Sequence, residues 1–255
     1  MVEEPLELRI GGRAIATVMR TPGEDRELFV GFLFDEGWIQ GPSDIGSVTL
    51  CASGDAHRIG NVVDLVPSAS CRIDPERPAR PTPATASCGV CGKRTIDEVL
   101  AAVPLLGSAG GAPGAAGGPW RFSAELLPSL PAALRRGQRI FERTGALHAA
   151  GLFDGDGRLL FLREDVGRHN AVDKVVGAAL LDSKLPLSDR VLVVSGRASF
   201  EIVQKALRAG IPAVAAVSGI STLARDLAEA GGITLIGFLR GASFQVYAHA
   251  ERLID

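Results

Sequence analysis

The chain has 255 residues, of which 46% are hydrophobic and 22% charged, and its formal net charge at pH 7 is -2. This composition is that of an ordinary globular protein with enough length for a substantial core, and the near-neutral charge provides no basic field that would favour nucleic-acid binding. No apolar run is long enough to cross a bilayer, and Met1-Val2-Glu3-Glu4 lacks the basic start and apolar stretch of a signal peptide, so we expect a cytoplasmic protein without membrane or nucleic-acid partners.

The first third of the chain predicts a small α+β unit. Gly11-Gly12 is a favoured two-residue turn between two short strands. Thr21-Pro22-Gly23-Glu24 matches a capping box with proline at the first helical position, so we expect a helix that begins there and ends at Gly37. The expected strands lie at residues 7–10, 14–19, 48–51 and 61–66.

The segment Ser87-Cys88-Gly89-Val90-Cys91-Gly92-Lys93 carries the clearest chemical signal. It holds two of the four cysteines, in a stretch without the hydrophobic periodicity that would bury them. Glycine follows each cysteine, and Lys93-Arg94 adds positive charge that favours the thiolate over the thiol. In a cytoplasmic protein this pattern indicates metal, redox or sulfur chemistry rather than a structural disulfide.

A zinc site is the weakest of these interpretations. Tetrahedral zinc would need two ligands besides Cys88 and Cys91, and the sequence offers no second C-x-x-C and no H-x₃₋₅-H. Cys51 and Cys71 lack a partner at ligand spacing, so we expect both to be small buried residues. We therefore predict no metal site.

The two cysteines lie in a stretch that we expect to be mobile. Residues 75–87 are rich in proline, arginine and threonine and predict an extended connection, so we expect fast amide exchange over residues 78–93 in the free protein. Residues 95–103 predict a short helix, and residues 107–118 predict a flexible Gly/Ala-rich surface insertion. We expect one domain at residues 1–118 and a second at residues 119–255.

The second domain predicts an α/β fold. After a helix and a β-hairpin, helices alternate with nearly continuous apolar strands, which is typical of a layered sheet, and the hairpins at either end make that sheet mixed. The expected helices lie at residues 132–143, 170–181, 200–208 and 222–230, and the expected strands at residues 147–153, 158–163, 191–194, 213–217, 233–238 and 244–247.

Two strand-to-helix turns in this half are candidate anion sites. They are Ser195-Gly196-Arg197-Ala198-Ser199 and Ser218-Gly219-Ile220-Ser221. In each turn, backbone N–H groups, hydroxyls and a helix N-terminus point at one place, which suits a phosphate at the edge of an open α/β sheet. The alternative is that Ser-Gly serves only turn and cap chemistry, with Ser199 and Ser221 as caps. The pattern alone leaves both interpretations open.

Two further polar segments fall at strand ends. Arg168-His169-Asn170 follows a strand and precedes a helix, so it predicts either a capped, solvated helix start, with His169 or Asn170 as cap, or part of a binding site. Phe238-Leu239-Arg240-Gly241-Ala242-Ser243 joins the last two strands. This segment is either a simple hairpin turn or a place where Arg240 offers its planar donor fork to an anion. His148 is expected to be structural.

These motifs together resemble one known family. The segments Ser87-Cys-Gly-Val-Cys-Gly92, Arg163-Glu-Asp-Val-Gly-Arg-His-Asn-Ala-Val-Asp-Lys174 and Val194-Ser-Gly-Arg-Ala-Ser199 are similar to those of the formate dehydrogenase accessory sulfurtransferases, the FdhD/NarQ family. Gly31-Phe-Leu-Phe-Asp-Glu-Gly37 fits as well. The resemblance implies a cytidine-deaminase-like three-layer α/β domain with a mixed sheet, a smaller N-terminal α+β domain, and a homodimer.

The resemblance also implies a function. Family members accept sulfur from a cysteine desulfurase as a persulfide and pass it to the molybdenum or tungsten bis(molybdopterin guanine dinucleotide) cofactor, which formate dehydrogenase then needs. By resemblance the persulfide forms on Cys88, Cys91 is the second catalytic cysteine, and Phe238 to Ser243 bind the cofactor. We expect the turns at Ser195 and Ser218, together with Arg168 to Asn170, to complete one cavity, and GDP to bind there as a surrogate.

Two other functions remain open from the sequence. A thiol–disulfide oxidoreductase also uses C-x-x-C, although normally at a helix N-terminus after a strand. A non-catalytic chaperone that only holds the cofactor for insertion would not need either cysteine. The role of Cys91 stays open as well, since it could carry sulfur, resolve a disulfide or tune Cys88.

Overall fold

The computed structural model describes residues 1–51, 59–73 and 120–255. The first two ranges form a four-stranded sheet in the order β2-β1-β4-β3, in which β1 runs parallel to β4 and the other pairs are antiparallel. Gly11 (φ +57°) and Gly12 (φ +83°) form the turn between β1 and β2, which confirms the predicted hairpin. The strands are β1 (Glu4–Ile10), β2 (Arg13–Arg20), β3 (Ile45–Leu50) and β4 (Val62–Pro67).

Helix α1 (Asp25–Asp35) begins later than predicted, and the capping box is wrong. Glu24 precedes the helix in a left-handed conformation and makes no side-chain cap bond. Thr21 instead serves a distant part of the chain, since its N–H donates to Oδ2 of Asp165 (3.1 Å) and its Oγ1 accepts from the N–H of Val166 (3.1 Å). These tertiary bonds replace the local cap that the sequence pattern predicted.

A six-stranded mixed sheet forms most of the second half, as predicted. Its order is β11-β10-β9-β8-β6-β7, with β8, β9 and β10 parallel and the other pairs antiparallel. A two-stranded parallel sheet joins β5 (Phe122–Ser123) to β12 (Leu253–Ile254). The strands of the large sheet are β6 (His148–Phe153), β7 (Leu159–Asp165), β8 (Val191–Val194), β9 (Ala213–Ala216), β10 (Thr234–Arg240) and β11 (Ser243–Ala248).

The predicted helix at residues 132–143 is wrong in one respect, because the structure divides it at Gln138. The carboxylate of Glu164 accepts the N–H groups of Ile140 (2.8 Å) and Phe141 (2.7 Å), so these groups are satisfied outside a continuous helix. The helices of this half are α2 (Leu130–Gly137), α3 (Arg139–Thr144), α4 (Arg168–Leu181), α5 (Phe200–Arg208) and α6 (Thr222–Gly231).

Helices α1 and α4 cross in backbone contact. A Cβ added to Gly31 would lie 1.9 Å from the carbonyl oxygen of Asp173, and one added to Gly177 would lie 1.9 Å from that of Glu27. The crossing brings the N-terminal part of the chain into the main apolar core, where Leu8 and Phe29 pack in the same cluster as Val176 and Val203. No helix in the described ranges combines the length and apolarity that a membrane span requires.

Several predictions lie outside the described residues. They concern Cys88 and Cys91, the connection at residues 75–87, the loop at 78–93, the helix at 95–103, the insertion at 107–118 and the domain boundary at 118. Cys51 and Cys71 are described, and the prediction that both are buried is wrong. Each is partly exposed.

Candidate functional site

The loops that follow β8 and β9 lie side by side at one edge of the large sheet. The N–H of Ser218 donates to the carbonyl of Gly196 (3.3 Å), and the N–H of Ala198 donates to the carbonyl of Gly219 (3.2 Å). Ser221 continues the pairing by donating to the carbonyl of Ala198 (3.2 Å). The two Ser-Gly turns therefore form one paired structure, and three N–H groups expected to face a phosphate are already bonded.

Other N–H groups of the same turns remain available for a ligand. Within the part of the chain that the structure describes, the N–H groups of Gly196, Arg197, Gly219 and Ile220 donate to no backbone carbonyl. Successive free N–H groups in a turn can bind an anion. Fewer N–H groups are thus available for an anion than the sequence predicted, and the anion site at these turns stays a prediction.

His148 lies beside these turns, although the sequence indicated only a structural role for it. Its Nδ1 is 3.4 Å from the position of a Cβ on Gly196, so the imidazole packs on this glycine. Burial lowers the pKa of His148, and the guanidinium groups of Arg168 and Arg197 lower it further. We call His148, Arg168 and Arg197 the His148 cluster. It combines a neutral imidazole with two positive charges near pH 7.

Arg168 has a further property that suits an anion site. Its Nε is buried, and it has no hydrogen-bond partner among the described residues. A buried donor without a partner costs free energy unless another group accepts from it. An oxygen of a bound phosphate would satisfy this donor, whereas Arg197 is exposed and offers its charge from the solvent side.

His169 and Asn170 are buried inside the first turn of α4 and do not cap it, since Gly167 occupies the cap position. The Nε2 of His169 lies 3.2 Å from Oγ of Ser199 and 3.2 Å from Oε2 of Glu201. Asn170 donates its side-chain N–H groups to the carbonyl of Met19 (2.8 Å) and to Oδ1 of Asp165 (2.9 Å). Both side chains hold neighbouring segments in place.

Ser195, Ser199 and Ser221 use their hydroxyl groups differently. The Oγ of Ser195 accepts from the N–H of Ala149 (2.8 Å), which extends the pairing of β6 with β8. Ser221 caps α6 by accepting from the N–H of Ala224 (3.3 Å), as predicted. Ser199 precedes α5 without a side-chain cap bond, because its hydroxyl contacts His169.

The segment from Phe238 to Ser243 lies against the turn after β9. The N–H of Phe238 donates to the carbonyl of Ser218 (3.0 Å), and Nε of Arg240 donates to the carbonyl of Val217 (3.2 Å). Phe238 has a left-handed backbone (φ +51°) and an exposed ring, a costly combination for an aromatic residue. Leu239 is fully buried in the core, so its side chain cannot contact a ligand, while Gly241, Ala242 and Ser243 are exposed.

A cavity of about 610 Å³ opens at the same edge, between α2, α3 and the start of β6. Its lining includes the polar side chains of His148 and Ser195 and the apolar side chains of Leu134 and Phe141. Of the residues predicted to bind the cofactor, Ser195 lines this cavity, whereas Phe238 to Ser243 do not. The predicted segments therefore meet at one edge without lining this single cavity together.

Two buried ion networks fix the elements that carry the site. Nζ of Lys174 lies 2.9 Å from Oδ2 of Asp165 and 3.0 Å from the carbonyl of Thr21, and it joins the turn before α4 to the N-terminal part of the chain. Nζ of Lys205 lies 2.5 Å from Oδ1 of Asp173 and 3.5 Å from Oδ2 of Asp35. Burial raises the pKa of Asp173 well above its usual range, and the Asp35 carboxylate adds to this effect.

Comparison with known proteins identifies close relatives over the whole chain. The model of the FdhD/NarQ family matches residues 1–254. A sulfur carrier protein FdhD from Streptomyces coelicolor is 50% identical over 257 residues, which cover 99% of this chain and 88% of that protein. A sulfur carrier protein FdhD from Anaeromyxobacter is 49% identical over 265 residues, with coverages of 99% and 87%.

A solved structure is similar over the same extent. It is a crystal structure assigned as a formate dehydrogenase accessory protein from Desulfotalea psychrophila, with a TM-score of 0.76 and 25% sequence identity. The match covers 99% of this chain and 90% of the other.

Proposed function

The chain belongs to the FdhD/NarQ family, and from this membership we propose that it is a sulfur carrier that serves formate dehydrogenase. The sulfur donor is a cysteine desulfurase. The acceptor is the molybdenum or tungsten bis(molybdopterin guanine dinucleotide) cofactor, which this protein binds as a substrate. The observation that carries the proposal is the Ser87-Cys-Gly-Val-Cys-Gly92 motif in a chain that matches sulfur carriers along its full length.

Cys88 is the carrier in this proposal. Its thiolate attacks the terminal sulfur of the desulfurase persulfide, the sulfur–sulfur bond of the donor breaks, and the desulfurase cysteine leaves as a thiolate. The new persulfide on Cys88 then gives up its outer sulfur atom to the cofactor, and Cys88 returns to the thiolate. The transferred sulfur has oxidation state zero, so the metal supplies the two electrons if it binds that atom as sulfide. Cys91 has an auxiliary role in this transfer.

The edge of the large sheet is the binding site for the cofactor. A dinucleotide carries several phosphate charges, which the His148 cluster and Arg240 would neutralise. The unpaired Nε of Arg168 provides a buried donor for one phosphate oxygen. The cavity volume of about 610 Å³ lies within the usual range for small-molecule sites. We further propose that the protein works as a homodimer and that its large domain has the cytidine-deaminase-like fold.

Replacement of Cys88 tests the proposal. Cys88→Ser should fold normally and bind GDP with unchanged affinity, yet leave the client formate dehydrogenase inactive, because serine cannot form a persulfide. Cys51→Ser is the matched control, since it makes the same replacement at a partly exposed cysteine outside the motif, and it should support full activation. Normal activation of the dehydrogenase by Cys88→Ser would remove Cys88 from the mechanism and favour a role in cofactor insertion without sulfur transfer.

A further inference from the structure

Two buried aspartate side chains meet where α1 crosses α4. Asp35 is the last residue of α1, and Asp173 lies in the second turn of α4. The side chain of Asp35 is 1% exposed and that of Asp173 is 4% exposed, and the two carboxyl groups are hydrogen-bonded to each other. Because an ionised carboxylate offers only acceptors, a hydrogen bond between two carboxyl groups needs a proton on one of them.

One ammonium group, that of Lys205 on α5, faces both carboxyl groups. Its Nζ lies 2.5 Å from Oδ1 of Asp173 and 3.5 Å from Oδ2 of Asp35, and also 3.8 Å from Oε1 of Glu201. Burial lowers the pKa of Lys205, but the three carboxyl groups outweigh burial and raise it, so the lysine stays charged. A single positive charge thus faces three acidic groups, which it cannot balance when all three are ionised.

The surroundings of the pair favour the uncharged form of a carboxyl group. Burial raises the pKa of Asp35 against the opposing charges of the ammonium and of the Arg208 guanidinium, and Glu36 raises it further. Arg208 donates to two backbone carbonyls, and on the other side Glu201 lies 3.2 Å from Nε2 of His169. Oδ1 of Asp35 is sealed from solvent and has no hydrogen-bond partner among the described residues. A charged oxygen in that position would remain without a donor, which costs free energy.

We propose that Asp35 and Asp173 share one proton in the folded protein at neutral pH, and that loss of this proton weakens the crossing of α1 with α4. The proton converts a repulsion between two buried charges into a hydrogen bond across the crossing, and it belongs to the pair, whose groups titrate together. The helices are in backbone contact at the same residue, since a Cβ on Gly31 would lie 1.9 Å from the carbonyl oxygen of Asp173. A charge repulsion at this place therefore acts directly on the crossing.

The variant Asp35→Asn distinguishes a shared proton from two ionised carboxylates. Asparagine has the shape of a protonated aspartate, and its amide N–H donates to Asp173 in place of the proton. We therefore expect the urea midpoint of Asp35→Asn at pH 7.5 to equal or exceed that of the wild type. If both aspartates were ionised and paired with Lys205, the same substitution would lower the midpoint, and that result would overturn the proposal.

Asp25→Asn is the matched control, because Asp25 is a buried aspartate paired with an arginine. Its Oδ1 accepts from Nε of Arg20 (2.9 Å) and its Oδ2 from Nη2 (3.3 Å). The control should lower the urea midpoint at the same pH, since the buried guanidinium loses its charged partner. Equal losses in the two variants would show that Asp35 is an ordinary ion-paired carboxylate and would overturn the proposal.

The pH dependence of stability counts the shared proton. Unfolded aspartates ionise with a pKa of about 3.9, so unfolding between pH 5 and 7 releases the proton that the folded pair retains. The raised folded pKa gives stability that is present at low pH and lost as the pH rises through the folded value. From pH 5 to 7 the unfolding equilibrium constant of the wild type should therefore rise, relative to that of Asp35→Asn, by about tenfold per pH unit. Parallel pH profiles would contradict a shared proton.

Hydrogen exchange in the last turn of α1 tests the effect on the crossing. Protection factors, which correct for the intrinsic pH dependence of exchange, should fall between pH 7 and 9 in the wild type and stay level in Asp35→Asn. The same change in both proteins, or no change in either, would overturn the proposed weakening of the crossing.

A last measurement needs no variant and covers the case in which Asp35→Asn does not fold. In wild-type protein with carbon-13 in its aspartate carboxyl groups, the resonances of Asp35 and Asp173 should show one proton on the pair at pH 7. Two fully ionised carboxylates at pH 7 would overturn the proposal. None of these experiments involves sulfur transfer, so this proposal and the proposed function fail separately.

Discussion

The fold shifts the pKa values of His148 and His249 in opposite directions. The pKa of His148 is lowered by burial and by two neighbouring arginines. Partial burial lowers the pKa of His249, but hydrogen bonds to the carbonyl of Glu229 and to the carboxylate of Glu251 outweigh burial and raise it. The two residues should therefore contribute to stability in opposite pH windows.

We predict that His148→Gln makes the protein less sensitive to acid. Because the folded pKa of His148 lies below the ordinary value of 6.5, the unfolded chain takes up a proton first as the pH falls through 6.5, and the native state loses stability. The variant lacks this loss, so its urea midpoint should fall less between pH 7.5 and 5.5 than that of the wild type.

His249→Gln should change the profile in the other direction. A raised folded pKa gives stability that is present below pH 6.5 and lost as the pH rises through the folded value. Removal of His249 should therefore lower the free energy of unfolding at pH 5.5. It should also reduce the decrease of that free energy as the pH rises above 5.5. Parallel profiles for the wild type and both variants would show that neither histidine titrates as the structure indicates.

Loss of the buried ion pair between Lys174 and Asp165 should change the free energy of unfolding more than either histidine does. Lys174→Met would leave Asp165 as a buried carboxylate without its cation, and one-sided removal of a buried pair costs about 3–5 kcal/mol of unfolding free energy. Lys184→Met is the control, because Lys184 is exposed and its pair with Asp182 is worth less than about 1 kcal/mol. Equal denaturant midpoints for the two variants would contradict this account.

Candidate site residues were predicted from the sequence where they follow a strand, whereas His148, at the start of a strand, was missed. The Ser-Gly turns and Arg168 stand at strand ends, where ligands of α/β sheets bind, and the structure places them together. His148 is the first residue of β6, and only the antiparallel pairing of β6 with β8 brings it to the same edge. The sequence signals a hairpin but does not say which strand lies beside it.

At the scale of elements, the crossing of α1 with α4 joins the two halves of the chain. We predict that Gly177→Ala is strongly destabilising, by about 3 kcal/mol or more, because its Cβ would lie 1.9 Å from the carbonyl oxygen of Glu27 and the helices must separate. Gly41→Ala is the matched control, since no atom lies within 4 Å of its added Cβ and its backbone is extended. It should change the unfolding free energy by less than about 0.5 kcal/mol. Similar urea midpoints for both variants would argue against the close crossing.

The regular elements were well predicted because local patterns specify them, and the failures share one cause. α5 was predicted to the residue, and the strands of the large sheet to within a few residues. The capping box at Thr21 and the unbroken helix across Gln138 both failed because a distant side chain, Asp165 or Glu164, satisfied the backbone instead. Such tertiary bonds leave no periodic trace in the sequence.

At the scale of the whole molecule, a ligand bound at the proposed site should raise the free energy of unfolding. A ligand that binds only the native state stabilises it by mass action, by about 2.7 kcal/mol at one hundred times its Kd. We predict that millimolar GDP raises the melting temperature, and that Arg168→Gln reduces the shift because the buried donor and its charge are lost. Arg225→Gln, on the exposed surface of α6, should keep the full shift. An equal shift in both variants would show that the His148 cluster does not hold the phosphates.

Sulfur transfer through Cys88 is the central claim, and mass spectrometry of the intact protein tests it most directly. After incubation with a cysteine desulfurase and free cysteine, we predict a species about 32 Da heavier, the mass of one sulfur atom, that maps to Cys88 and disappears on reduction with a thiol. Cys88→Ser should show no such species under the same conditions. Absence of the added sulfur from the wild-type protein, or its appearance at the same level in Cys88→Ser, would contradict the account.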